Sequence, residues 1–140
     1  MGIDMFLYVS DTPEIPDNYA TTIMEDYDEA RKIFPEVAYW RNANSIHNWF
    51  AGNIQGGVDN CEYSLVSPEH FKELLNVVND VIQNPEKGPD LLPTVSGFFF
   101  GDTEYGEYYT QVLYYTKKVI ERVLENYSDK YIFYHAYGNY

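Results

Sequence analysis

Apolar positions along the chain follow two periods, and the periods lay out the elements. Ile3-Asp4-Met5-Phe6-Leu7-Tyr8-Val9 is short, apolar and rich in β-formers. Ser10-Asp11-Thr12-Pro13 stops it, so it reads as a buried strand. Residues 10 to 27 carry two prolines and many acids and read as a long surface loop, a type that is often functional or mobile. Tyr27 to Phe34 is a short helix ended by Pro35. From Glu36 to Ala51, Tyr39, Ala43, Ile46 and Phe50 recur at offsets of four, three and four, which predicts one helix with Gly52 as its stop.

Gly52 to Gly57 is turn-forming, and Cys61 to Val66 reads as a second strand. Ser67 as N-cap and Pro68 at the first helical position start a helix that Phe71, Leu74, Leu75, Val78 and Ile82 carry to about Gln83. Pro85 to Pro93 is a loop with a turn at Lys87-Gly88-Pro89-Asp90, and Thr94 to Gly101 is a strand or tightly packed loop. The last helix runs from near Asp102 or Thr103 to about Asn126. Tyr131 to Tyr137 alternates as a closing strand, with Tyr131, Phe133, His135 and Tyr137 on one face. This order predicts a single α+β domain over residues 1–140: a small, mostly antiparallel sheet packed with about three helices.

Composition narrows the function. Nine Lys and Arg against 22 Asp and Glu give a net charge of −13, which argues against a partner coated in phosphate, whether nucleic acid or anionic lipid. No apolar run is long enough for a membrane span. Met1-Gly2-Ile3-Asp4 does not read as a signal peptide, and Phe6 breaks the myristoylation pattern. One cysteine, Cys61, rules out an intrachain disulfide and suits a reducing cytoplasm. Neither standard phosphate loop is present. His47, His70 and His135 have no metal-ligand spacing, so neither metal nor cofactor is expected.

Two stretches stand out. The first is Tyr39-Trp40-Arg41-Asn42-Ala43-Asn44-Ser45-Ile46-His47-Asn48-Trp49-Phe50. On one helix, Trp40, Asn44 and His47 would align beside a polar stripe of Arg41, Asn44 and Asn48. Asn and His give directional donors and acceptors, and Arg41 a fork suited to phosphate or carboxylate. The competing reading makes Trp40 and Trp49 core, pairs Arg41 with an acid and uses the asparagines as loop caps.

The second stretch is Leu92-Pro93-Thr94-Val95-Ser96-Gly97-Phe98-Phe99-Phe100-Gly101-Asp102-Thr103. It sets amides near a helix start, where they can hold an anion, and aromatics that can stack on a base or close the core.

These two motifs, with Tyr105 after the second and the opening Met1-Gly2-Ile3-Asp4-Met5-Phe6-Leu7-Tyr8, resemble a family of small phage and prophage proteins over most of the chain. The resemblance implies a viral protein working in a bacterial host cytoplasm and carries no established activity. By analogy with other small phage accessory proteins, the leading expectation is a counter-defence protein. It would bind and sequester a nucleotide-derived immune signal, a cyclic ADP-ribose isomer or a cyclic dinucleotide.

The expected ligand-binding residues are Trp40, Arg41, Asn44, His47, Asn48, Trp49, Ser96, Gly97, Phe99, Thr103 and Tyr105. An acidic interaction protein that inhibits a host defence protein is the alternative, followed by a small nucleotide hydrolase using His47 or His135 with Glu104 or Glu107. Exposed tyrosines also suit a homo-oligomer.

Overall fold

The computed structural model describes residues 2–57, 62–96 and 103–139. Among them, four strands form one antiparallel sheet in the order β2-β1-β4-β3. The strands are β1 (Gly2–Ser10), β2 (Glu36–Arg41), β3 (Ser64–Val66) and β4 (Tyr131–Asn139). Six α-helices accompany them: α1 (Tyr19–Glu25), α2 (Tyr27–Ile33), α3 (Asn44–Ile54), α4 (Pro68–Gln83), α5 (Gly88–Leu91) and α6 (Glu107–Asn126). The α+β expectation holds.

The long central pair β1–β4 is in register from Gly2↔Asn139 to Ser10↔Tyr131. Alternation along these strands makes two faces of different character. Ile3, Met5, Leu7, Ala38, Trp40, Ile132, Tyr134 and Ala136 point inward onto α3, α4 and α6 and form the main core. The opposite face carries Phe6, Tyr8, Tyr63, Phe133, His135 and Tyr137. The α1–α2 hairpin covers part of that face through a second cluster of Tyr19, Ala30, Phe34 and Phe133.

Several expectations need correction. Glu36 to Ala51 is not one helix: residues 36–41 form β2, and α3 begins only at Asn44. Val-Ala-Tyr-Trp-Arg alternates with period two, and β1 offers an open neighbour, so sheet pairing overrides the apparent helical spacing. Asn42 makes the break: its φ of 55° turns the chain, and its side-chain oxygen accepts from Ile3 N at 2.9 Å. Gly52 does not stop α3, which runs on to Ile54 and ends before Gly56 and Gly57, both at positive φ.

The stretch 10–27 contains α1, which shares the second core through Tyr19. The expected loop from Pro85 to Pro93 is a 3-10 turn followed by α5. The second strand shortens to Ser64–Val66, and Cys61 lies outside the described residues. Residues 94–96 adopt no regular structure, and 97–101 also lie outside the described residues. Gly106 delays the last helix to Glu107.

Other expectations match closely. Ser67 Oγ accepts from His70 N at 3.1 Å, and α4 spans Pro68–Gln83. In β4 the outward set Tyr131, Phe133, His135 and Tyr137 opposes the inward Ile132, Tyr134 and Ala136.

Strand β2 is an edge, and α6 seals it. Arg122 Nη2 donates to Val37 O at 2.8 Å, Tyr39 N donates to Tyr115 Oη at 3.3 Å, and Tyr108 Oη donates to Arg41 O. Residues seven apart on α6 thus reach every second residue of β2, in the opposite chain direction. Backbone groups that would otherwise offer a template for another strand have side-chain partners here.

Candidate functional site

Most of the residues singled out from the sequence serve the fold. Trp40 is buried, its Nε1 donates to Thr116 Oγ1 at 3.0 Å, and its ring meets Phe50 and Tyr115 at steep angles. Arg41 Nη1 lies 3.1 Å from Asp4 Oδ1, so the arginine is paired with an acid. His47 is buried with Nδ1 2.6 Å from Tyr134 Oη. Trp49 is half-buried against Phe50 and His70, and Asn48 is exposed.

Asn44 Oδ1 accepts from Val95 N at 3.0 Å, Tyr105 Oη accepts from Thr94 N at 3.0 Å, and Thr94 Oγ1 donates to Thr103 O at 2.9 Å. Asn44, Thr103 and Tyr105 are therefore brought together, as clamps on the 94–95 segment. The space among Asn44, Ser45, Thr94, Glu104 and Tyr108 is about 10 Å³, room for about one water. Ser96 is exposed, while Gly97 and Phe99 lie outside the described residues.

The outer face of the sheet holds a better-formed concavity. A pocket of about 160 Å³ opens between the sheet and the α1–α2 hairpin. Its floor is Phe6 and Tyr8 from β1 with His135 and Tyr137 from β4. Tyr19, Phe34 and Tyr63 wall it, and Arg31 and Glu36 stand at the exposed rim. Its rings are mutually ordered: Tyr8 stacks on Phe34 at 4.8 Å, and His135 lies nearly coplanar over Tyr63 at 4.0 Å and 8°. Packing of this kind holds each ring at a defined angle.

A bulge places one of these groups. The β1–β2 register jumps from Leu7↔Ala38 to Tyr8↔Glu36, skipping Val37. Strict alternation from Ala38 and Trp40 would send Glu36 into the core. The extra residue puts Glu36 on the outer face beside Tyr8 and leaves Val37 packed on the core side.

Burial sets the protonation states. Desolvation raises the tyrosine hydroxyls of Tyr8, Tyr19 and Tyr137, and pushes Tyr63 up to about 12. At neutral pH these are intact O–H groups, able to donate and accept, and those of Tyr8, Tyr19 and Tyr63 interact with one another. Desolvation lowers His135, while a hydrogen bond to the Glu62 backbone works the other way, so the imidazole is neutral at pH 7. Its Nδ1 is buried and has no hydrogen-bond partner among the described residues.

Comparison with protein-family models, curated proteins and solved structures found no match. Function therefore rests on the site itself. Its chemistry is that of an aromatic-walled pocket with neutral polar groups in its wall and one charge of each sign at the mouth. Among the described residues, no group of three or more His, Cys, Asp or Glu could hold a metal ion, and no helix is long and apolar enough to cross a membrane.

Sequence reading did not single out Tyr8, Tyr19, Arg31, Glu36, Tyr63 and Tyr137, which line this pocket. They come from β1, α1, α2, β2, the segment before β3, and β4, so no local motif announces them. The available signal was the outward face of the closing strand, where His135 and Tyr137 sit together.

Proposed function

We propose that this chain is a binding protein that takes the planar ring of a small nucleotide-derived ligand into the outer-face pocket and sequesters it. The supporting observation is the pocket itself. Its volume of about 160 Å³ is close to the ~150 Å³ cavity that accommodates a benzene ring. A base can be enclosed there while the rest of a nucleotide stays at the mouth. Tyrosine and histidine walls suit base stacking, which contributes about 1–3 kcal/mol per base. In the bacterial host setting implied by the phage-family resemblance, such binding withdraws an immune signal from its receptor.

The test is a thermal-shift panel of nucleotides, cyclic dinucleotides and cyclic ADP-ribose isomers, with ligand recovered after heat denaturation and identified by chromatography. A ligand that raises the melting temperature and returns intact supports sequestration. Return as a product makes the protein an enzyme, and no shift with any compound removes the proposal.

A second reading has its own observation. Tyr39, Arg41, Tyr108, Gln111 and Tyr115 line an open groove of about 280 Å³ beside the sealed edge, and its tyrosines are suited to a protein partner. Tyr39→Ala and Gln111→Ala would then abolish capture of a host protein without changing the ligand panel.

A further inference from the structure

The pocket rim carries one cation and one anion, and among the described residues neither has an ion-pair partner. The ion pairs Lys32–Glu29, Arg41–Asp4, Lys87–Asp80 and Lys130–Asp11 involve neither Arg31 nor Glu36. Arg31 lies in the last turn of α2 and Glu36 opens β2, so both flank the turn that delivers Phe34 to the pocket wall. They share the rim without pairing with each other. The Arg31 guanidinium carbon sits 5.8 Å from the Tyr27 ring centroid, supported on a face while its N–H edge is left for an acceptor. The bulge at Val37 sends Glu36 to this rim, where a carboxylate meets whatever projects from the enclosed ring.

We infer that the ligand is a ribonucleotide: base in the pocket, ribose hydroxyls donating to the Glu36 carboxylate, and phosphate accepting from Arg31. The inference rests on the ring-binding reading above. A guanidinium recognises phosphate through paired N–H donors, and a carboxylate is the natural acceptor for a ribose diol. With His135 neutral, Arg31 supplies the positive charge of the pocket. Binding of an anion by so acidic a chain needs such a local donor.

The experiment measures affinities of the four ribonucleosides, their 5′-monophosphates and the 2′-deoxy monophosphates, by titration calorimetry on the whole chain. The preferred base should bind about tenfold tighter as its monophosphate than as its nucleoside. Arg31→Gln should erase that ratio while leaving nucleoside affinity in place. Glu36→Gln should narrow the ribo-to-deoxy preference and leave the phosphate preference intact. Arg31 and Glu36 are exposed, so both variants should melt with the parent chain.

If nucleosides bind but phosphate brings no gain, or Arg31→Gln keeps the gain, the ribonucleotide assignment is overturned and the ring-binding reading stands. Equal ribo and deoxy affinity overturns the role of Glu36. If no nucleoside or monophosphate binds, the ribonucleotide assignment is overturned, and the ring-binding reading falls with it when the panel of cyclic dinucleotides and cyclic ADP-ribose isomers gives no shift either.

Discussion

Trp40→Phe separates a structural tryptophan from a ligand-stacking one. The indole is 3% exposed, and its Nε1 donates to Thr116 Oγ1, itself fully buried and donating to Val112 O at 2.7 Å. Phenylalanine removes that donor and the outer part of the ring together. The lost hydrogen bond costs about 1 kcal/mol. Roughly 40 Å² of apolar area no longer buried costs about 1 kcal/mol. An unfilled volume of about 40 Å³ adds about 1 kcal/mol. The sum, about 3 kcal/mol, should lower the melting temperature by about 10 °C for a chain of this length. Chemical denaturation gives the free energy, and titration of the ligand found in the screen gives the affinity. Stability should fall by that amount with affinity unchanged within twofold. An unchanged midpoint with affinity lost would refute the reasoning and return Trp40 to the binding site.

Further outcomes follow from other contacts. Asn42→Ala should cost about 1 kcal/mol for the lost bond to Ile3 N while keeping a Cβ at φ 55°; Asn42→Gly loses the same bond but is relieved of the ~1–2 kcal/mol that a Cβ costs there, so it should cost clearly less in the same denaturant titration. Tyr115→Phe should cost about 0.5 kcal/mol, because water reaches the site, and should speed hydrogen exchange at the Tyr39 amide. His135 is held below its ordinary value of 6.5 by burial, so as pH falls through 6.5 the unfolded chain takes up a proton that the folded chain refuses. Stability should therefore decline with acidification, and His135→Gln should flatten that slope between pH 7 and the lowered folded value.

Elements with a single dominant local signal were legible in the sequence. Ser67-Pro68 with the Phe71–Ile82 stripe defines α4, and the alternation from Tyr131 defines β4. Glu36 to Phe50 was not legible, because Tyr39, Ala43, Ile46 and Phe50 satisfy a helical period across a strand, a turn and a helix start. Only the availability of β1 as a partner decides that case. The pocket was less legible still. Six separate segments build it, and a one-residue bulge, which leaves no mark in composition, turns Glu36 to the rim. In the conspicuous motif, Trp40, His47 and Asn44 proved to hold β2, β4 and the 94–95 segment in place.

The sealed edge of β2 limits how molecules can associate through the sheet. Arg122, Tyr115 and Tyr108 occupy the backbone groups on that side, whereas β3 at the far end pairs with β4 alone among the described strands. Two molecules joined β3 to β3 about a two-fold axis would make a continuous eight-strand sheet with both outer edges already closed. Growth would stop at the dimer, since a head-to-tail filament needs a second open edge. In such a sheet, three side chains of one helix would separate a finite assembly from an open-ended one.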